Sequence, residues 1–258
     1  SATSCKTGLI TVFTIPITIA ATIAVQISFK ENPGTRYSTT RSAKTFTANL
    51  IINFMPVTLN LFYFRVFVYC ICFLELFQNF EIIVSDNSKD NVIRDICDLY
   101  KTGINYDWNP KMGMAHNTNH AIKRSKGELI KILYLDDFLC HAKVLEGIVN
   151  NFKGHWLICG SDNNPTPYWT DDILMGNNRL GSPSALTIKN DSPLLFDERL
   201  SWMLDVVYYN QLHKRYGEPT IMAGKHIGIG VGEHQTTYTM SDRKKQEEGK
   251  YVMKKYNK

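Results

Sequence analysis

The stretch from Gly127 to Leu139, GELIKILYLDDFL, constrains the fold more than any other part of the chain. Leu129, Ile130, Ile132, Leu133 and Leu135 form a short apolar run broken only by Lys131 and Tyr134, and the run ends in the adjacent acids Asp136 and Asp137. Its length, branched residues and opening glycine predict a buried strand over 128–139 rather than a helix. Acids at the carboxyl end of such a strand stand where open α/β sheets bind their ligands. Two neighbouring carboxylates repel unless a cation or a donor network compensates, which suits a hard divalent metal bound with a phosphate. A helix N-terminus is the competing reading, because an acid before LCHAKVLEGIVNNF would also cap that helix. The two roles are compatible, since one acid can cap while the other ligates.

With 258 residues and 44% hydrophobic content, the chain can bury one sizeable core. The net charge of +5 is modest and its late basic residues, Arg243, Lys244, Lys245, Lys250, Lys254 and Lys255, favour an anionic surface or ligand. No aromatic and basic RNA-binding signature accompanies them, so nucleic acid is not an expected partner. Cys5, Cys70, Cys72, Cys97, Cys140 and Cys159 form no paired CxxC pattern, which predicts reduced thiols in a cytosolic protein rather than a disulfide framework.

Along the chain, residues 8–29 are uncharged and long enough to cross a bilayer, yet Pro16 and the many threonines and isoleucines also fit strands. Residues 30–44 read as a polar linker turning at Pro33 and Gly34. LIINFMP looks like a strand stopped by Pro56, and FYFRVFVYCICFLELF like a buried helix whose Arg65 and Glu75 argue against a lipid-facing span. Phe80 to Val84 predicts a strand. Ser88 or Asp90 then caps a helix carrying Val92, Ile93, Ile96, Cys97 and Tyr100. Strand, helix, strand, helix in this order implies a parallel sheet.

MAHNTNHAIKRSK predicts a short polar helix closed by Gly127 as its C′ residue. On it His116 and His120 fall four apart, without a third ligand at a recognisable spacing, and read as hydrogen-bonded rather than metal-binding. Helical spacing recurs from Val144 to Phe152, and HWLICGS and SALTIK are strand-like. Asp171 and Asp172 have no apolar strand before them and read as loop acids. LDVVYYNQLHKRYG predicts a helix ending at Gly217. Asp205 stands in its first turn, as a cap or as a catalytic group facing a cleft. The tail predicts a charged surface helix with Tyr251, Val252 and Tyr256 as its apolar contacts.

The blocks NFEIIVSDNSKD, NPKMGMAHNTNHAIKRSKGELIKILYLDDFL, GSPSALTIKND, FDERLSWMLDVVYYNQL and GEHQTT resemble, in order and spacing, family 2 glycosyltransferases of the GT-A fold, over about Asn79 to Tyr256. The resemblance implies an α/β fold with a mainly parallel central sheet flanked by helices, as a domain over 49–258 behind an N-terminal extension, 1–48. It also implies a site. Asp86 and Ser88 in VSDNS would contact the base or ribose, with Ser85 where the family's first acid stands. Asn117 would belong to the same donor-binding set, as would Pro56 and Val57 in the nucleotide turn after a first strand over Leu50 to Met55. Asp136 and Asp137 correspond to the DXD element that holds Mg²⁺ or Mn²⁺ on the donor's diphosphate, with Tyr134 in place of the first aspartate. Asp205 corresponds to the catalytic base, with Leu204 replacing the preceding acid, and His234 in GEHQTT would be a further phosphate or metal contact.

This implies an inverting glycosyltransferase that uses a UDP-, GDP- or dTDP-linked sugar and a glycan or lipid-linked acceptor in cell-envelope polysaccharide or glycolipid synthesis. Its expected place is cytoplasmic, with peripheral association at the inner membrane face. Two other readings stand beside it: a non-catalytic member that binds nucleotide or glycan through an altered donor site, and a membrane-anchored interaction protein using residues 8–29.

Overall fold

The computed structural model describes residues 48–51, 80–99, 104–134, 137–230 and 235–257. Among them lies a sheet of eight strands: β1 (Ala48–Ile51), β2 (Phe80–Asp86), β3 (Ile104–Trp108), β4 (Leu129–Ile132), β5 (Phe138–Leu139), β6 (Trp156–Ser161), β7 (Leu186–Lys189) and β8 (Thr220–Gly228). The spatial order is β3-β2-β1-β4-β7-β6-β8-β5. β1 runs parallel to both β2 and β4, and β3 runs parallel to β2. β7 is antiparallel to β4 and β6, β8 is parallel to β6, and β5 pairs antiparallel with β8. The helices are α1 (Val92–Leu99), α2 (Met114–Arg124), α3 (Val144–Asn151), α4 (Leu204–Tyr216), α5 (Thr236–Thr239) and α6 (Asp242–Tyr256).

Both faces of the sheet are covered, which is why its inner strands read as unbroken apolar runs. Successive side chains point to opposite faces. Ile82, Val84, Leu129, Leu157 and Cys159 therefore pack with Ile93 and Ile96 of α1 and Leu145 and Ile148 of α3. Their neighbours Ile83, Ile130, Ile132 and Ile158 pack on the other side with Ile122 of α2, Val207 and Tyr208 of α4 and Val252 of α6. The expected α/β architecture is the one observed.

Several boundaries differ from expectation. β1 begins at Ala48, two residues before Leu50, because Ala48 pairs with Phe80 on one side and Leu129 on the other. β4 stops at Ile132 rather than running on to the acids. The Tyr134 amide leaves the ladder to donate to the Ser184 hydroxyl at 2.8 Å, and the Asp137 amide turns back to the Tyr134 carbonyl at 3.0 Å. Phe138 and Leu139 then form β5 at the opposite edge of the sheet. α2 ends at Ser125, whose amide bonds the Ile122 carbonyl, so Gly127 is not its C′ residue. Gly127 instead offers its carbonyl to Asn190 Nδ2 at 2.7 Å. Asp90, rather than Ser88, accepts the Val92 amide at the start of α1.

Residues 8–29, the first-strand positions after Ile51, the turn with Pro56 and Val57, the apolar helix after it, Tyr100, Asp136 and His234 lie outside the described residues. No helix among the described residues is long and apolar enough to cross a membrane.

Candidate functional site

The carboxyl end of β2 is built on a buried aspartate. Asp86 is fully buried, and its Oδ1 accepts the Ser88 amide at 2.8 Å. Its Oδ2 accepts the Ser88 hydroxyl at 2.8 Å and the Tyr106 phenol of β3 at 2.9 Å. Burial holds this carboxyl above the ordinary range against the three donors. From the next helix, fully buried Asn117 reaches back to the same strand end. Its Nδ2 donates to the Ser85 carbonyl at 2.6 Å, while its Oδ1 accepts the Ser85 hydroxyl at 2.5 Å and Asn109 Nδ2 at 3.3 Å. The structure thus brings Asp86, Ser88 and Asn117 to one strand end, where Ser88 bonds to Asp86 and Asn117 to the adjacent Ser85, holding the turn in shape. A residue that periodicity did not flag joins them: Trp108, 50% exposed at the end of β3, donates its indole N–H to the Ser88 carbonyl at 3.0 Å.

The two histidines of α2 are separately engaged. His116 Nδ1 lies 2.9 Å from Glu198, and His120 lies 3.1 Å from Asp107 and 2.8 Å from the Ser85 hydroxyl. Asp171 and Asp172 are exposed loop acids, bonded to Trp169 and Asn177. A cavity of about 530 Å³ between the start of α2 and the end of α6 has none of Asp86, Asp137 and Asp205 in its lining.

Asp137 and Asp205 belong to one hydrogen-bonded network across the 178–182 loop. Asp137 is 6% exposed. Its Oδ1 accepts the Gly230 amide at 2.9 Å, and its Oδ2 accepts the Ser182 hydroxyl at 3.2 Å. Asn178 donates to the Gly181 carbonyl at 3.0 Å and to Asp205 Oδ2 at 2.8 Å. It also accepts the Leu180 and Gly181 amides through Oδ1, so the loop is locked around this one side chain. Asp205 is the second residue of α4, and its Oδ1 accepts the adjacent Val206 amide at 2.8 Å. Burial, opposed by those donors and aided by the Glu248 charge, pushes its carboxyl up to about 6. Tyr134 lies within reach of both acidic charges, and burial drives its phenol far above the ordinary range.

Beneath the network stands Lys131, fully buried in β4, with Nζ donating to the Ser184 carbonyl and to the Leu186 carbonyl at 3.4 Å. Burial lowers its pKa to about 8. Ser184 in turn holds the Tyr134 amide, so the lysine braces the turn that leads to Asp137.

Among the described residues no three His, Cys, Asp or Glu side chains gather as a metal cage. Asp137 has the chemistry of a hard-cation ligand. Each of its oxygens accepts a hydrogen bond, one from the Gly230 amide and one from the Ser182 hydroxyl. A magnesium site bound with a diphosphate needs only one or two protein carboxylates.

Residues 70–180 match the family model described as glycosyl transferase family 2. The match ends before α4, so Asp205 lies beyond it. Among solved structures, the 1–349 fragment of S. aureus TarS in complex with UDP-GlcNAc is similar, with a TM-score of 0.51 and 16% identity, over 67% of this chain and 56% of that one. The same fragment in complex with UDP gives a TM-score of 0.46 at 16% identity, over 59% and 52%. The chain therefore spans about half the length of the TarS structures it matches. None of the curated proteins compared with the chain matches it. The likeness to the UDP-GlcNAc complex, with helices packed on both faces of the one sheet, gives the fold as GT-A.

Proposed function

We propose, from the glycosyl transferase family 2 sequence that residues 70–180 carry, that this chain moves a sugar from a nucleoside diphosphate to a hydroxyl of a glycan or lipid-linked acceptor, with inversion. The observation that carries the reading is the network of Asp137, Ser182, Asn178 and Asp205, which links one ligand-type carboxylate to one carboxylate of base strength. Asp205 takes the proton of the acceptor hydroxyl as its oxygen attacks the anomeric carbon from the side opposite the diphosphate. The bond to the leaving diphosphate breaks with its electron pair. A carboxyl titrating near 6 is ionised at neutral pH and still basic enough to take a proton.

Asp137, with Asp136 and His234, would hold Mg²⁺ or Mn²⁺, which supplies charge neutralisation to the leaving diphosphate. No second acid flanking the scissile bond is required, unlike in a glycosidase. Asp86, Ser88 and Asn117 shape the turn that meets the nucleoside, with Trp108 offering an exposed ring beside it. The UDP-GlcNAc of the TarS complex makes a UDP-linked sugar the first donor to try.

Calorimetric titration of UDP and GDP into the protein, with and without Mn²⁺, tests the reading. Binding of one nucleotide that needs the metal is expected. Absence of binding to both, in a sample shown to be folded, overturns the reading.

A further inference from the structure

Asp205 occupies the first turn of a 13-residue helix. Such a position normally stabilises a carboxylate, because the orphan amides and the helix dipole present positive charge there. The three amides just ahead of that turn are taken by another acid. The amides of Ser201, Trp202 and Met203, the three residues leading into α4, donate at 2.9, 2.9 and 3.0 Å to Glu248, with Oε1 taking the first and Oε2 the other two. Met203 stands at the cap position and makes no side-chain cap of its own.

Glu248 comes from the middle of α6, which is firmly seated. Val252, one turn further on, is fully buried in the core that contains α4. Lys245 lies 5.8 Å over the Trp202 ring. At the far end Tyr251, Tyr256 and Lys255 converge on Asp197 Oδ2 at 2.6, 2.6 and 2.9 Å.

We propose that Glu248 is the positioning residue of the Asp205 base: it binds the three amides that lead into α4, fixes the turn from which Asp205 projects, and sets a like charge beside it. This rests on Asp205 being the base of the proposed transfer. Asp205 itself is left with the Val206 amide, its own amide and the Asn178 side chain as donors. The titratable groups around it are Glu248 from α6, Tyr209 from α4 and Tyr134 after β4, with Asp137 acting on the same phenol. Burial keeps both phenols neutral through the physiological range, which leaves Glu248 as the like charge acting on the base. Burial supplies the larger part of the upward shift of Asp205, and the Glu248 charge adds to it.

The test is a ¹³C NMR titration of aspartate-labelled full chain, with the Asp205 signal assigned from Asp205→Asn. Glu248→Gln keeps a carbonyl acceptor and removes the charge. The Asp205 midpoint is expected to fall by about 0.5–1 pH unit in that variant, and the acidic limb of UDP release from the donor should move with it. An unmoved midpoint overturns the proposal. Should Glu248→Gln fail to fold, the wild-type amide signals of Ser201, Trp202 and Met203 decide: they must move through the same pH range as the Asp205 signal, and their constancy across that range overturns the proposal equally. An Asp205→Asn chain that still transfers sugar sinks the base assignment instead and leaves the titration result standing.

Discussion

Asp205 combines burial with a small set of donors, and the balance leaves its carboxyl near 6. In the role of base it must be ionised, so transfer should rise as pH climbs through about 6 and level off above it. A profile of kcat/KM against pH between 5 and 8 checks this; an acidic limb near 4 would mean that the group behaves as an ordinary exposed acid. Asp205→Asn should abolish transfer, by roughly 10²-fold or more, the scale on which a positioned acid or base contributes, while nucleotide affinity stays within about twofold. Asp137→Ala should instead weaken UDP binding in Mn²⁺ towards the level seen without metal, as read by calorimetry. These two acids were legible in the sequence as candidates, because a carboxylate carries its chemistry in the side chain itself. Glu248, Ser182 and Asn178 were not. Each is an ordinary polar residue of a loop or surface helix, and its role arises from partners 27 to 47 positions away.

α2 shows how an element can be held by polar groups. Asn119 is 1% exposed, and its side chain donates to the Phe196 carbonyl at 2.9 Å and accepts the Phe196 amide at 2.8 Å. This pair of bonds ties α2 to the loop before α4, as Asn117 ties it to β2. Asn119→Ala would strand two buried backbone groups, and at about 1–3 kcal/mol for each orphaned group the expected loss is about 2–6 kcal/mol. Urea unfolding measures it, with an unchanged m-value expected; a loss under about 0.5 kcal/mol would mean that the loop finds other partners. Sequence periodicity located α1, α3, α4, β2 and β6 because each has an apolar face at regular spacing. It missed β3 and β8. β3 is the polar edge strand INYDW, and β8 departs from even spacing where its pairing with β6 shifts register between Cys159 and Ser161. It overextended β4, since Leu133 and Tyr134 continue the apolar pattern while their backbone has already left the ladder.

For the molecule as a whole, two cores on either side of one sheet leave the middle of that sheet far from water, and a lysine stands there. Lys131 was visible in the sequence only as an interruption of an apolar run; the fold gives it two carbonyl partners, those of Ser184 and Leu186. Its folded pKa of about 8 lies below the unfolded 10.5. Between those values the unfolded chain holds a proton that the folded chain has lost, so stability rises with pH across that window. Below pH 8 the folded protein carries the full cost of the buried charge, about 3 kcal/mol by the conversion of pKa to free energy. Lys131→Met keeps most of the volume and removes the charge, but it also deprives the Ser184 and Leu186 carbonyls of their donor. That second loss is nearly the same at every pH, so it cancels when the variant is compared with wild type at two pH values. The stability of Lys131→Met relative to wild type should therefore be greater at pH 7 than at pH 10, by about 2–3 kcal/mol, in paired denaturant titrations. A pH-independent difference would show that water or a neighbouring anion already compensates the charge. UDP binding should weaken in the same variant, because the Ser184 turn that fixes Tyr134 and leads to Asp137 loses its brace. A stability that depends less on pH, together with a poorer donor site, is the expected result, since the buried lysine braces the turn that leads to Asp137.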